Sequence, residues 1–469
     1  MSNATLEMTD RREYPVLEPG QTYASVTDQI GDVVLRRTPG RLWWFGVVFT
    51  MGLVTLLIAA VSYLIVRGVG IWGIDIPVAW GFAIVNFVWW VGIGHAGTFI
   101  SAMLLLMRQD WRTSINRFAE AMTLFAVACA GMFPLLHLGR IWRFWYIVPY
   151  PNVMWLWPQF RSPLVWDVFA VSTYLTVSLI YWYVGLLPDL ATMRDKAKSR
   201  IVKLIYATMA MGWRGSAMHW QRYQSAYLLL GGLAAPLVIS VHSVVGMDFA
   251  GAQIPGWHST ILPPYFVAGA IFSGFAMVLT LGIPMRWAFG LKDMITLRHI
   301  DNCAKFLLIT GLIVDYSYGM EMFMGWYSGD TYESFITLNR AIGPYAWSFW
   351  LIMFTNVVTT QFLWIRKVRQ NVPLMFVIAF IIQVGMWTER FVIVVISLHR
   401  DFVPSSWGMY YPTFWDYATL AGTIGFFLFC FFLFARLIPV ISISEMRELV
   451  HSTGGGKHVP KSFSPSYVK

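Results

Sequence analysis

Charged side chains are scarce in this chain: Asp, Glu, Lys and Arg make up 12% of its 469 residues, against 57% hydrophobic ones. Soluble domains carry about 25% charge, so this balance excludes that class and indicates a multi-span membrane protein. Cysteine is nearly absent. Cys129, Cys303 and Cys430 show no CxxC spacing, so no disulfide frame, zinc site or iron–sulfur site is encoded, and any metal centre is expected in a partner. Residues 1–42 are polar and lack the apolar core and small-residue cleavage pattern of a secretory signal. They read as a retained tail. The net charge of +10 does not indicate nucleic acid, because the basic residues fall in short loops between apolar runs, where they set topology and meet anionic headgroups.

What the chain does have is apolar length. Ten segments reach the roughly 20 residues needed to cross hydrocarbon, at 43–66, 77–107, 115–136, 164–188, 224–246, 263–285, 303–327, 344–365, 373–398 and 412–439. None alternates as barrel strands do. The expected fold is therefore all-α, a polytopic transmembrane helix bundle over 43–440 with tails at 1–42 and 441–469. Of the Lys and Arg residues, 27 fall on the side of the two tails and 7 on the other or within the ninth span. This bias places both termini in the cytoplasm and puts His137, Asp167, Asp248, His399 and Asp416 at the outer face.

Two similar phrases set an acid near the start of an apolar helix: "SPLVWDVFA" with Asp167 and "YPTFWDYAT" with Asp416. Ser162 followed by Pro163 reads as an N-cap and first helical residue, and an acid there is favoured by the helix dipole. Each phrase follows a His-bearing helix end, "LLHLGR" and "SLHRD", as in a degenerate internal repeat.

Deeper acids are harder to place, since a charge at the bilayer centre costs about 2.5–3.5 kcal/mol on insertion scales. Asp315 and Glu321 lie six residues apart in the seventh span with Tyr318 between them, so the two acids point roughly 120° apart. Glu389 and Arg390 are adjacent in the ninth span and read either as a salt bridge between neighbouring helices or as functional groups. In the second span, Gly94, Gly97 and Ser101 offer small surfaces for close helix approach. His95 on that span reads either as a hydrogen bond across the bundle or as part of a proton path.

Intrinsic b-type haem requires histidines paired at matched depth on facing helices. His95 is alone at mid-depth, His137, His242 and His399 lie near outer ends, and His219, His299, His451 and His458 fall on the cytoplasmic side, with His258 in an outer loop. The polar residues gather instead near the outer interface, where His137, Asp167 and Asp248 are joined by Glu321 and Arg390. Beside them runs the aromatic segment "GRIWRFWYIVPYPNVMWLWPQFRSP", read as a lid or as an ordinary interfacial belt. An apolar aromatic pocket with one His and one Asp suits a lipid-soluble quinol, whose hydroxyls would donate to imidazole and carboxylate.

The phrases "GFAIVNFVWWVGIGHAGTFISA", "RTSINRFAEAMTLFAVACAGMFPLLHLGR", "RSPLVWDVFAVSTY" and "QIPGWHSTILPPYFVAGAIFSGFAMV" resemble the NrfD/polysulfide-reductase membrane-subunit family, and more closely the C-subunit family of bacterial alternative complex III. The resemblance implies a bacterial inner-membrane subunit with no cofactor of its own, oxidising quinol (menaquinol above all) near the outer face. It implies as partners an iron–sulfur subunit, multihaem cytochrome c subunits, a second homologous membrane subunit and a terminal oxidase. His137 and Asp167 are the expected catalytic residues, with Asp248, Glu321 and Arg390 binding quinol and His95, Asp315, Tyr318 and Glu389 on a proton path coupled to quinol chemistry. Two other readings remain: a non-oxidising anchor or proton-conducting subunit of such a complex, and a secondary transporter, the latter disfavoured because no pair of strongly interrupted spans is evident.

Overall fold

The computed structural model describes residues 14–35, 38–147 and 163–452. Ser162, most of the aromatic segment before it and the distal parts of both tails lie outside the described residues. All regular structure among the described residues is helical. We number the principal helices α1 (Tyr23–Leu35), α2 (Arg41–Arg67), α3 (Phe82–Leu106), α4 (Asn116–His137), α5 (Pro163–Lys196), α6 (Arg200–Met209), α7 (Ala217–Ala250), α8 (Leu262–Ala288), α9 (Leu297–Tyr327), α10 (Thr331–Ile342), α11 (Ala346–Trp364), α12 (Val372–His399), α13 (Phe414–Leu437) and α14 (Ile443–Ser452). Among the described residues nine of these are long and apolar enough to cross a membrane, and the bent pair α10–α11 supplies a tenth.

That bend is a feature the sequence reading missed. α10 and α11 meet at 81°, so α10 lies across the rim of the bundle before α11 turns inward. Asp330 caps α10 by accepting from the Tyr332 and Glu333 N–H groups, which fixes where the chain leaves α9. The interruption is single and lies at the rim, so the midplane pair typical of transporters is still not in evidence among the described residues.

α3 is the axis of the bundle, with 22 of its 25 residues buried, and it packs on α4, α7, α8, α12 and α13. Small residues make these approaches possible. A Cβ on Gly97 would stand 2.0 Å from the Ala119 carbonyl oxygen of α4, and one on Gly274 of α8 would stand 1.8 Å from the Ala96 Cβ. At the periphery α2 rests on α13 and turns Leu42, Phe45, Val48, Phe49 and Ile58 outward, the surface a helix presents to lipid.

α1 and α14 pack together and close the end of the bundle at which the described residues begin and end, here called the tail side; the opposite end is the far side. Residues expected only as a polar tail thus include a docked helix, with Val26, Ile30 and Val33 buried. Arg436 reaches back to the Val33 carbonyl at 2.5 Å.

Candidate functional site

The far side carries the first group. Asp167 in the second turn of α5 and Asp248 near the end of α7 are 4% and 9% exposed, and they interact across the α5–α7 contact. Apart from each other's carboxyl group, neither oxygen of Asp167 nor Oδ1 of Asp248 has a hydrogen-bond partner. Buried carboxylates are ordinarily satisfied, so this pair lacks the donors a structural role would supply. The residue after Asp248, Phe249, packs edge-on against Trp80 and Trp257, with centroids 6.0 and 4.9 Å away. His137 at the end of α4 stacks on Trp72 at 6.4 Å, and its buried Nδ1 has no partner. It makes no hydrogen bond to Asp167.

Asp416, the twin of Asp167 in sequence, has the opposite environment. It accepts from the Gly73 N–H at 2.9 Å, the Thr413 N–H at 2.8 Å and the Tyr410 hydroxyl at 2.8 Å, and it completes a capping box with Thr413 at the start of α13. Asp416 is a structural cap; Asp167 is not held in this way.

A second cluster lies in the far half of α9 and α12. Glu389 and Arg390 pair with each other at 2.6 Å, so the salt bridge lies within one helix and not between two as the sequence suggested. Arg390 also sits 4.4 Å over the Phe266 ring. Tyr318 donates to Glu389, and Asn356 donates to the Tyr318 hydroxyl at 2.8 Å. Both α11 and α12 leave regular α geometry beside this site, with π-helical turns at Met353–Val358 and Val392–Ile396, a device common at functional positions. Glu321 does not join Arg390; it pairs with Arg340 of α10 at 2.6 Å. Glu321, Glu389, Tyr318 and Arg340 line a cavity of ≈ 20 Å³, about room for one water. Asp315 is not part of the cluster either: it is half-buried on another face of α9 and accepts from Gln361 at 2.9 Å.

His95 is not alone at mid-depth. Its Nδ1 lies 2.9 Å from Nδ1 of His242 on α7, and both rings are buried. The separation is that of a hydrogen bond between the two rings. Phe266 packs on His242 at 6.0 Å and, through Arg390, joins this pair to the Glu389 cluster.

Sequence reasoning missed a third group, on the tail side. Glu120 of α4, fully buried, accepts from Ser101 at 2.5 Å and from Tyr227 at 2.9 Å. Arg117 bridges Asp189 at 3.0 Å and approaches Glu120 at 3.7 Å. Arg112, in the turn before α4, pairs with Glu445 of α14 at 2.7 Å. Burial works against its charge, but Glu445 outweighs this and raises its pKa well above the ordinary value. The available signal was Glu120 itself, a lone acid in the apolar run "FAEAMTLFAVACAG".

Residues 74–400 match the family described as polysulphide reductase, NrfD. The chain belongs to the NrfD family. Among its relatives, a selenate reductase subunit of Mesobacillus selenatarsenatis is 23% identical over 400 residues, covering 80% of this chain and 89% of that protein. A putative dimethyl sulfoxide reductase membrane subunit of Halobacterium salinarum is 27% identical over 241 residues, 51% of each chain. The Hdr-like menaquinol oxidoreductase integral membrane subunit of Archaeoglobus fulgidus is 22% identical over 320 residues, 67% of this chain and 69% of that one. All three names denote subunits of oxidoreductases. This NrfD protein is thus a multi-pass membrane protein of the type found as the membrane subunit of reductase complexes, and all three polar clusters described above include residues of the matched region.

Proposed function

We propose that this chain is the quinol-binding subunit of a respiratory oxidoreductase, with its tail side in the cytoplasm and its quinol site at the far, outer rim. The observation that carries the reading is the Asp167–Asp248 pair, two buried carboxyls that find no donor but each other. A quinol supplies what they lack: two hydroxyl donors on a flat apolar ring. Asp167 and Asp248 accept one hydroxyl, and His137, with its unpartnered Nδ1, accepts the other. As the quinol loses two electrons to an iron–sulfur partner, its two protons pass to these groups and leave on the outer side. Menaquinol is the substrate favoured, in line with the name of the Archaeoglobus relative. The partners proposed are the iron–sulfur subunit, multihaem cytochrome c subunits, a second membrane subunit of the same kind and a terminal oxidase, as in alternative complex III.

Arg390 and Glu389 stand behind the site and set its field, with Tyr318 as the hydroxyl through which Glu389 exchanges a proton with the small cavity at Glu321. His95 and His242 extend this path towards the middle of the membrane. Asp315 has no such connection among the described residues, and its proposed role is confined to the α9 surface. The test is quinol oxidation by the purified complex carrying Asp248→Asn: assembly at wild-type yield with turnover lowered at least tenfold supports the site, and unchanged turnover removes it.

A further inference from the structure

A cavity of ≈ 360 Å³ opens at the tail side between the α3–α4 turn, the start of α7 and α14. That is within the roughly 300–1,000 Å³ of small-molecule sites, and none of the groups assigned to quinol borders it. Part of its wall is apolar, with Leu105, Leu228 and Trp220. Leu228 is exposed, as are Leu229 after it and Leu106 and Met107 after Leu105. This wall therefore continues into the apolar surface that the spanning helices α3 and α7 turn to lipid. The remainder carries charge of both signs. Arg112 and Glu445 neutralise each other at 2.7 Å, and the second oxygen of Glu445 accepts from Asn116 at 2.7 Å. Three charges on the wall are left over: Arg108 of the α3–α4 turn, Asp110 two residues on and Glu448 of α14. All three are exposed, and among the described residues none has an ion-pair partner. Asp110 is close enough to repel Glu448. Tyr223, 9% exposed, lines the same cavity, and its hydroxyl has no hydrogen-bond partner.

These features select a ligand. Two acids that repel each other call for a cation, and the unpaired guanidinium beside them calls for an anion. A simple cation answers only the acids, and the headgroup of an anionic lipid answers only Arg108. A zwitterion with an ammonium and a phosphate answers both, and the apolar wall leading to the lipid face calls for hydrocarbon on the same molecule. We infer that this cavity is the headgroup site of an aminophospholipid of the phosphatidylethanolamine class, drawn from the tail-side leaflet. The ammonium donates to Asp110 and Glu448, and the phosphate accepts from Arg108. The Tyr223 hydroxyl is the donor left for an ester oxygen, since a buried hydroxyl is ordinarily satisfied. The acyl chains run past Leu105 and Leu228 onto the outer surface. So placed, the lipid ties together the α3–α4 turn, α7 and α14, which the Arg112–Glu445 bridge joins only in part. It takes no part in electron transfer, and the inference does not depend on the quinol reading.

The test uses the whole complex, purified in mild detergent, with retained lipid counted by mass spectrometry. Wild type is expected to keep about one phosphatidylethanolamine through washes that strip the bulk lipid. The double variant Arg108→Gln with Glu448→Gln is expected to assemble and to retain at least fivefold less, and Glu448→Gln alone decides if the double variant does not assemble. Arg200→Gln, which removes an exposed tail-side charge away from the cavity, is expected to retain the wild-type amount. Equal retention by the cavity variants overturns the inference, and so does an equal loss in Arg200→Gln, which would mark the lipid as annular only. A second measurement adds lipid back to the stripped wild type and follows its melting temperature. Phosphatidylethanolamine is expected to raise it. A rise as large with phosphatidylglycerol overturns the role of the ammonium, and one as large with water-soluble glycerophosphoethanolamine overturns the lipid as the source.

Discussion

Asp167→Asn and Asp416→Ala should separate two acids that the sequence presents as near twins. Asp416 accepts from the Gly73 N–H, distant in the chain, and from the Thr413 N–H and the Tyr410 hydroxyl of the loop before α13. Removing its carboxylate leaves those buried donors unsatisfied and uncaps α13. Each orphaned donor costs about 1–3 kcal/mol and a lost cap about 0.5–2, and because these terms overlap we expect about 3–5 kcal/mol in all. Asp167 has no partner but the Asp248 carboxyl, a contact that an amide at the same position can still make, so Asp167→Asn should change stability by less than about 1 kcal/mol. Its effect falls on turnover instead, about 100-fold or more if it receives a quinol proton. The assay is thermal unfolding of the purified complex alongside quinol oxidation normalised to assembled complex. Asp416→Ala should unfold several degrees early with near-normal turnover per assembled complex, and Asp167→Asn should do the reverse. A strongly destabilised Asp167→Asn complex with normal turnover would refute the assignment.

The other predictions concern packing and ion pairs. Gly97→Ala places a methyl 2.0 Å from a backbone oxygen that has little freedom to move; overpacking of this kind costs about 1–3 kcal/mol or more, and a wild-type melting temperature would contradict the close α3–α4 approach. Arg340→Ala strands Glu321 in the rim cavity at a cost of about 3–5 kcal/mol, and the double change Arg340→Met with Glu321→Leu should recover most of it. A double variant as unstable as Arg340→Ala in the same melts would show that the pair does not act as a unit.

The ten spans were legible because the bilayer demands about 20 apolar residues per crossing whatever the sequence around them. The α10–α11 bend was less so, because α10 carries Glu333, Asn339 and Arg340 and reads as a loop until its packing on the rim is seen. Among site residues, legibility followed sequence distance. The Thr413 cap on Asp416 is local, but Tyr410 falls just outside the shared phrase and Gly73 is 343 residues away, so the phrase could not tell Asp416 from Asp167. The His95–His242 contact joins residues 147 apart and depends on the rotation of two helices, which hydropathy does not encode. Arg390 was assigned a partner on another helix and found one next door. Asp315 was flagged by its cost in lipid, yet it sits half-buried on the α9 surface, which scarcity of charge alone cannot foresee.

The most direct measurement is a density map of the assembled complex soaked with a non-oxidisable quinol analogue. Density for the ring between Asp167, Asp248 and His137, with its hydroxyls within hydrogen-bond distance of a carboxylate and the imidazole, is the predicted result. A ligand bound elsewhere, with that rim space closed by the chain's own side chains, would contradict the account.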